Sequence, residues 1–264
     1  MDCIKYPTEK LLEILVQEEE EIRQSDWYRQ ECTRVKDIPN GWLDVTAKMQ
    51  KDLVKKHGFE DEISCDIACN MLRRARYIYP DNKIFWEVPV YVRNNLAKPG
   101  DLKEGDVVPD IKIYNRVKEE VNLLDLMKTD KLTLVLGSSH TWQPFRAHIE
   151  LFNDLYHARK DINIFIVYIT EAHAADVWNI GESAGTINFK HRKIEDRLEC
   201  AEKLAKTFKV DIPIYADNMD NQFQDLFASW PFRYYIIKDG KFVKIGVPKD
   251  SEFDMGELLD FLNH

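Results

Sequence analysis

The sequence lacks a long hydrophobic run. Its apolar stretches, such as residues 162–169, have the length of a strand and fall short of the roughly 18 residues that a membrane span needs. Its first residues, MDCIKYPTEK, lack the basic start and apolar stretch of a signal peptide. It also lacks a basic excess, with 37 Lys and Arg against 46 Asp and Glu and a net charge of −9. This balance argues against nucleic acid or an anionic membrane as the main partner, and we expect a soluble, cytoplasmic protein.

Cysteine is scarce as well, and the five cysteines do not suggest a disulfide framework. An odd number in a chain of this length is typical of a reducing compartment. Cys65 and Cys69 are four residues apart and lie on one helix face, where their Cβ atoms lean the same way and pair poorly in a disulfide. No second Cys or His pair is placed to complete a metal site with them. We expect core cysteines, with Cys200 buried on its helix, and neither a metal nor a cofactor.

The first part of the chain, residues 1–92, has the apolar periodicity of helices. Three stripes recur at helical spacing: Leu11, Leu12 and Leu15; Trp42, Val45, Met49 and Leu53; Ile63, Ile67 and Met71. Thr8 is placed to cap the first helix, and Pro80 follows the third. Residues 84–92 are aromatic and β-branched but contain Pro89, so their structure stays open. We predict a mainly helical N-terminal domain, 1–92, followed by a linker at 93–109 that is rich in Asn, Gly and Pro.

The remaining residues, 110–264, alternate strand and helix patterns and end in a β-hairpin and a helix. The predicted strands are 111–114, 132–137, 162–169 and 212–216, then a hairpin at 233–247 with an Asp-Gly turn. A short helical turn is predicted at 121–127, and helices are predicted at 144–160, 194–208, 221–228 and 255–262. Buried strands alternating with helices indicate an α/β fold with a mixed sheet covered on both faces. A hairpin and a final helix that follow a proline, here Pro231, resemble the end of the thioredoxin fold.

The segment GSSHTWQPFR, residues 137–146, follows the first long buried strand. A thioredoxin-type sheet carries its reactive group at this place, where the N-terminus of the next helix stabilises a thiolate or selenolate. This segment contains no cysteine, and none of the five cysteines lies near it in the sequence.

Four segments together resemble the iodothyronine deiodinases. They are GSSHTWQPF (137–145), IFIVYITEAHAADVW (164–178), INFKHRKIEDRLECA (187–201) and PFRYYIIKDGKFVKIG (231–246). The TEAH sequence and the later His-x-x-x-x-Asp-Arg-Leu are the most specific parts. The resemblance covers residues 110–247, and the N-terminal helical residues lie outside the pattern of the vertebrate enzymes. The resemblance implies a thioredoxin-like fold. It also implies a homodimer, because members of the family often form dimers.

The resemblance also implies a nucleophile that this chain does not have. Deiodinases remove iodide reductively with a selenocysteine or cysteine in a TUPPF or TCPPF context. Counting back from Pro144 and Phe145 places that position at Trp142, with Thr141 as the alternative. Neither an indole nor a hydroxyl does thiol chemistry. Because UGA encodes selenocysteine, a misread UGA codon is an alternative to a genuine tryptophan, and a UGG codon at position 142 would exclude it.

The resemblance further implies a polar site. Glu171 and His173 of TEAH match residues that bind substrate and assist proton transfer, His191 matches the second histidine, and Arg233 matches a substrate-carboxylate clamp. In open α/β sheets such residues gather at the carboxyl ends of strands. The loop adds His140, a candidate base, and further polar or aromatic ligand contacts at Ser139, Thr141 and Trp142.

Each assignment has a structural alternative. Glu171 and His173 could be an exposed helix-start residue and a capped loop residue, and His191 could belong to a solvated basic turn. Arg233 could pair with any acidic residue. His140, Ser139 and Thr141 could cap a helix, and Trp142 could pack in the core or stack on an aromatic ligand.

Three hypotheses of function follow. In the first, the chain is an enzyme that binds a small aromatic or carboxylate-bearing molecule and performs acid–base rather than redox chemistry with Glu171, His173, His191 and His140. In the second, it is a redox-inactive binding or scaffold protein. In the third, it is a true deiodinase-type oxidoreductase with a misread residue 142 or a cysteine from elsewhere, such as Cys65.

Overall fold

The structure, a computed structural model, describes residues 4–127, 130–248 and 253–263 of the chain. The chain divides into two compact units. The first contains the described residues up to Asn95 together with His173–Ile187, and the second contains Leu96–Ala172 and the described residues from Asn188 onwards. The sequence placed residues 173–187 within the C-terminal domain, whereas the structure groups them with the N-terminal helices.

The first unit is helical, as the sequence predicts. Its helices are α1 (Glu9–Arg23), α2 (Asp26–Arg34), α3 (Gly41–Lys56), α4 (Glu62–Ile78), α5 (Ile84–Glu87) and α6 (Val90–Arg93), with a 3₁₀ turn at Gly181–Ala184. The helices predicted from the three stripes are present as α1, α3 and α4. In α4, however, the predicted stripe is not the buried face, since Ile63 is 60% exposed and the core side is formed by residues such as Cys65, Ala68 and Leu72. The segment left open forms α5 and α6, which are separated by Pro89 because proline cannot continue a helix.

The sequence analysis missed α2, which has only a narrow apolar face. Within α2 only Tyr28 and Cys32 are buried, four residues apart. Ser25 is the signal that could have located its start. The Ser25 hydroxyl accepts a hydrogen bond from the backbone N of Tyr28 at 3.2 Å and donates one to the carbonyl of Ile22 at 2.6 Å.

Two apolar clusters hold the first unit together. One joins α1, α3, α4 and α5 and contains Cys65 and Cys69, which are buried core cysteines as expected. The other surrounds Tyr28 and Cys32 and is completed by Ile180 and Ala184. Segment 173–187 therefore belongs to the first unit because its apolar residues fill that unit's core.

The second unit is built on a sheet of seven strands in the order β2-β1-β5-β4-β3-β6-β7. The strands are β1 (Lys112–Tyr114), β2 (Glu120–Asn122), β3 (Thr133–Ser138), β4 (Asn163–Tyr168), β5 (Ile214–Asp217), β6 (Phe232–Lys238) and β7 (Lys241–Ile245). The three central strands β3, β4 and β5 are parallel, and β6 and β7 add antiparallel pairs next to β3. This is the mixed sheet that the sequence predicts.

Helices cover both faces of this sheet. They are α7 (Gln143–Ala147), α8 (Ile149–Ala158), α9 (Ile194–Phe208), α10 (Gln222–Leu226) and α11 (Met255–Asn263). One face packs residues of α7, α8, α9 and α11 against Leu134, Leu136 and Ile166. On the other face Phe223 of α10 and Phe227 pack against Tyr235. The α/β, thioredoxin-like fold expected from the sequence is confirmed.

Two local predictions hold only in part. The short helical turn predicted at 121–127 is present as a 3₁₀ turn at Leu124–Leu126, whereas the residues before it belong to strand β2, because Val121 pairs with Ile113 across a tight hairpin. The amide oxygen of Asn115 accepts hydrogen bonds from the backbone N atoms of Val117 and Glu119 and fixes that hairpin turn. The predicted helix 144–160 is interrupted at His148, which separates α7 from α8.

No helix in the described part of the chain combines the length and the apolar character that a membrane crossing requires.

We expect Ser25→Ala to lower the free energy of unfolding by about 1 kcal/mol, because α2 loses the acceptor for its first-turn N–H. Ser25→Thr keeps a hydroxyl at this position and should retain most of the stability. Urea unfolding of the full chain measures both. Equal losses for the two variants would contradict a capping role for the Ser25 hydroxyl.

Candidate functional site

The loop that follows β3 is fully enclosed. Ser138, Ser139, His140 and Thr141 are each at most 1% exposed. The Ser139 hydroxyl accepts a hydrogen bond from the backbone N of Ala172 at 3.2 Å, which ties this loop to the end of β4. Trp142 precedes α7 and is partly buried against the apolar core of the second unit. The indole of Trp142 therefore packs on the core of the second unit.

The carboxylate of Glu171 is the centre of the polar contacts at this edge of the sheet. Its Oε2 accepts hydrogen bonds from the backbone N and the Oγ1 of Thr141, at 3.1 and 2.6 Å. Its Oε1 accepts from Nδ2 of Asn188 at 2.8 Å and from the hydroxyl of Tyr168. Since β3 and β4 are parallel, their carboxyl ends lie side by side and bring these groups together.

This arrangement keeps Glu171 ionised. Burial raises the pKa of its carboxyl, but the contact with His191 and the hydroxyl donors of Thr141 and Tyr168 outweigh burial and lower the pKa to about 2. The side chain is not the exposed helix-start residue of the structural alternative, since Glu171 is 5% exposed. An ionised carboxylate with four donors can hold groups in place, and it exchanges protons poorly at neutral pH.

His191 lies beside this carboxylate and is also buried. Its Nε2 is 3.6 Å from Oε1 of Glu171, and its Nδ1 accepts a hydrogen bond from Nε of Arg197 at 3.2 Å. The neighbouring residues Lys190 and Arg192 are exposed, as expected for a basic turn, whereas His191 is only 6% exposed. The structure thus brings together Thr141, Glu171 and His191 among the residues predicted from the sequence.

Tyr168, Asn188 and Arg197 belong to the same network, and the sequence analysis did not single them out. All three lie within or beside the segments that carry the resemblance to the deiodinases. Arg197 is part of the His-x-x-x-x-Asp-Arg-Leu sequence, and this sequence was the signal that could have identified it. Its side chain is 2% exposed, a rare environment for an arginine that indicates a specific set of partners.

Cys200 of α9 also approaches this network. The ligand atoms of Glu171, His191 and Cys200 all lie within 4.8 Å of one another, the spacing of a potential metal site. Both carboxylate oxygens of Glu171 are already engaged by hydrogen bonds. Burial, followed by the charge of Glu171, raises the pKa of the Cys200 thiol to about 12. The free thiol is therefore protonated at neutral pH and is not a nucleophile there.

His140 is enclosed with no hydrogen-bond partner for either ring nitrogen among the residues that the structure describes. Its ring meets Phe208 edge to face, with centroids 5.5 Å apart. Burial is the largest cause that lowers the pKa of His140, to about 4. Burial is therefore the main reason that the imidazole of His140 is neutral.

His173 lies in the first unit. Its ring is 4% exposed and packs edge-on between Trp42 and Trp178, with centroid distances of 5.1 and 4.9 Å. It is thus a residue of an aromatic cluster in a different unit from Glu171 and His191. Its assignment to a catalytic role stays a prediction from the resemblance.

Arg233 lies on β6 directly opposite Gly137 of β3, and it is 7% exposed. Its Nη1 donates to the carbonyl of Pro99 at 2.9 Å, and its Nη2 donates to the carbonyl of Lys98 at 3.3 Å. The predicted carboxylate clamp is therefore in contact with main-chain oxygens of the chain itself. A ligand carboxylate would compete with those carbonyls.

A cavity of about 340 Å³ lies in the first unit. Its lining includes Glu20, Arg23, Tyr28, Arg93 and Trp178, and it contains none of the site residues predicted from the sequence. Arg23 and Arg93 are each paired with a glutamate, at 2.7 and 2.6 Å. The positive charges of the two arginines in the cavity wall are thus already balanced by glutamates.

Comparison with known proteins decides the family. The family model for iodothyronine deiodinase matches residues 46–264, which is most of the chain. The chain belongs to the iodothyronine deiodinase family. The match begins within α3 of the helical unit, so it extends well beyond residues 110–247, which carried the resemblance in the sequence.

Individual relatives cover less of the chain. Thyroxine 5-deiodinase of Sparus aurata is 30% identical over 149 residues, which are 55% of this chain and 54% of the relative. Type I iodothyronine deiodinase of Xenopus laevis is 33% identical over 144 residues, which are 54% of this chain and 56% of the relative. The chain thus spans about half the length of these curated relatives.

Solved structures with similarity to this chain include a peroxiredoxin-like protein from Aquifex aeolicus, with 13% identity and a TM-score of 0.44, covering 63% of this chain and 89% of that protein. The thioredoxin domain of a thiol-disulfide oxidoreductase from Bacteroides vulgatus has 17% identity and a TM-score of 0.40, covering 60% of this chain and 99% of that domain.

The burial of His140 predicts a specific loss of stability in acid. Its pKa is about 4 in the folded state and 6.5 in its ordinary state, so the folded chain binds fewer protons over this range. The free energy of unfolding should therefore be fully retained above pH 6.5 and fall by about 3 kcal/mol as the pH falls through this window. We expect His140→Leu to lose this part of the pH dependence in urea unfolding measured from pH 7.5 downwards. His157→Gln, a change at an exposed histidine of α8, is the control and should keep the wild-type slope. An unchanged slope in His140→Leu would contradict the assignment.

Gly100 directly follows the two residues that Arg233 contacts, and we expect alanine to destabilise the protein more at Gly100 than at Gly105. Gly100 and Gly105 both have left-handed φ angles, +81° and +95°, so alanine at either position costs about 1 kcal/mol. At Gly100 the new Cβ would also lie 2.8 Å from the Cβ of Ala228, whereas at Gly105 it would meet nothing within 4 Å. We expect Gly100→Ala to lower the free energy of unfolding by about 1–3 kcal/mol more than Gly105→Ala. Equal losses in urea unfolding would show that the segment is not packed closely at Gly100.

Proposed function

We propose that this member of the deiodinase family binds a small aromatic, carboxylate-bearing molecule beside the loop that follows β3, and that it performs acid–base rather than thiol chemistry there. One observation supports this most: the Glu171 carboxylate fixes Thr141 through two hydrogen bonds, directly before a residue that carries no thiol. The site is thus held in a defined shape although the family nucleophile is replaced by Trp142.

The relatives suggest the class of ligand. Two of them are named as enzymes acting on thyroxine or iodothyronines, which are aromatic amino acids with a phenol at one end and a carboxylate at the other. In this chain the proposed partner of the carboxylate is Arg233, in competition with the carbonyls of Lys98 and Pro99. The indole of Trp142, partly buried, offers a flat surface on which an aromatic ring can stack.

The proposed chemical roles differ within the network. Glu171, with its low pKa, acts as the anion that orients its neighbours. His191 is proposed as the ring that contacts the ligand in the acid–base step, because its imidazole lies beside that carboxylate. His140 is proposed as a neutral ring beside the ligand. His173 is proposed as a contributor only on the ground of the family resemblance.

The test is an assay of thyroxine with dithiothreitol as the reductant, in which reductive deiodination exchanges C–I for C–H, releases iodide and oxidises the dithiol to a disulfide. Wild type and Trp142→Cys are compared for iodide release and, without reductant, for thyroxine binding by fluorescence titration. We expect both proteins to bind thyroxine, and only Trp142→Cys to release iodide. Trp27→Cys, the same substitution at an exposed site of α2, is the control and should release none.

Two results would overturn the proposal. Iodide release by the wild type would show that a nucleophile is present, through a selenocysteine at position 142 or through another cysteine. Absence of thyroxine binding in both wild type and Trp142→Cys would exclude the proposed ligand class and favour a binding or scaffold protein that acts through its helical unit.

A further inference from the structure

The ring of His191 is held from one side by a cation. Its Nδ1 is 3.2 Å from Nε of Arg197, and both side chains are buried. A guanidinium has only donor groups and stays protonated in proteins, so the nitrogen that it faces must be an acceptor. In a neutral imidazole with Nδ1 as the acceptor, the proton is on Nε2.

Arg197 has little freedom to give up this contact. Its Nη1 donates to the carbonyls of Asp217 and Asn218, at 3.1 and 2.7 Å. Its Nη2 donates to Oγ1 of Thr170 and to Oδ1 of Asn221, at 3.3 and 2.7 Å. A fifth hydrogen bond, to His191, completes the set of donors on a planar group that cannot rotate without breaking the other four.

We propose that Arg197 is a positioning residue that fixes His191 in the Nε2–H tautomer and so presents the Nε2–H group as a hydrogen-bond donor for a bound ligand. The first part concerns the free protein and stands alone. The second part rests on the function proposed above, since it requires that a ligand occupies the site.

The Nε2–H group of His191 is available to a ligand because the neighbouring Glu171 carboxylate does not accept a hydrogen bond from it. Oε1 of Glu171 is 3.6 Å from Nε2, which is beyond hydrogen-bond distance, and the structure gives Nε2 no other partner among the residues it describes. The Glu171 carboxylate already accepts from Thr141, Tyr168 and Asn188. A buried N–H without an acceptor is costly, and a ligand oxygen such as a phenol or phenolate oxygen would satisfy it.

In the proposed tautomer Nε2, the nitrogen that faces Glu171, carries the proton and offers no lone pair to a metal. A metal ligand must offer a lone pair, and the lone pair of His191 is on Nδ1, where Arg197 donates to it. The cluster of Glu171, His191 and Cys200 is therefore arranged for hydrogen bonding rather than for coordination.

The test is long-range ¹H–¹⁵N NMR of the histidine rings in the ligand-free full chain at pH 7.5, with His191→Gln identifying the His191 signals. In wild type we expect a pyridine-type ¹⁵N shift at Nδ1 and a pyrrole-type shift at Nε2. Arg197→Gln removes the cation, and we expect its His191 signals to move towards the average of the two tautomers. Arg197→Lys keeps a charged donor and should restore part of the wild-type pattern. Arg192→Gln removes an exposed arginine from the same segment and should leave the pattern unchanged.

A wild-type protein with the proton on Nδ1 would overturn the inference, whether or not the variants fold. An unchanged tautomer in both Arg197 variants would overturn the role of Arg197.

Thyroxine titrations of the same samples separate the two proposals. If the wild type does not bind thyroxine, the proposed function is refuted and the tautomer result still stands. A Nε2–H group that donates to the ligand should give weaker thyroxine binding, by about tenfold, in Arg197→Gln than in Arg192→Gln. Equal affinities would refute the ligand-donor role.

Discussion

The buried carboxylate of Glu171 is the interaction on which the candidate site depends. It joins three segments of the second unit that are distant in the sequence: the loop after β3, the end of β4 and the residues before α9. An ion removed from water is costly unless its lone pairs are satisfied, and here four donors satisfy them. The shape of the loop that precedes residue 142 is therefore set by Glu171, independently of the side chain at position 142.

The hydrogen bonds of Glu171 fix the residue that directly precedes Trp142. Thr141 is held through its main chain as well as its hydroxyl, so its position follows from the carboxylate. Trp142 comes next, at the N-terminal boundary of α7, and packs on the apolar core rather than into the polar network. The polar network around Glu171 and the side chain at position 142 are thus separate parts of the site.

Much of the fold could be predicted from the sequence because apolar periodicity reports which elements have one buried face. It located α1, α3, α4 and the central strands, although in α4 the buried face is that of Cys65 and Ala68 rather than that of Ile63. It missed α2, which buries only Tyr28 and Cys32, and it missed strand β2 before the helical turn, because a cross-strand pair with Ile113, not local spacing, decides that segment. Both failures arise where tertiary contacts outweigh local pattern.

The site was predictable to a smaller extent. The TEAH sequence identified Glu171, but its ionised, saturated state depends on Asn188 and Tyr168, and nothing in the sequence says that these side chains meet. Arg197 lies six residues after His191 on the first turn of α9, and only the fold shows that its guanidinium reaches back to the ring. Likewise, His173 follows Glu171 by two residues and yet joins a different unit, a separation that the local sequence does not show.

The membership of residues 173–187 in the first unit affects how the chain can reach its folded state. The polypeptide passes from the first unit to the second after Asn95, returns at His173 and leaves again after Ile187. During synthesis the N-terminal helices emerge first, but Ile180 and Ala184, which complete the cluster around Tyr28 and Cys32, follow about 150 residues later. The helical unit therefore closes its second core only after a long loop of chain has been made, and the two units cannot be separated by cutting a single connection.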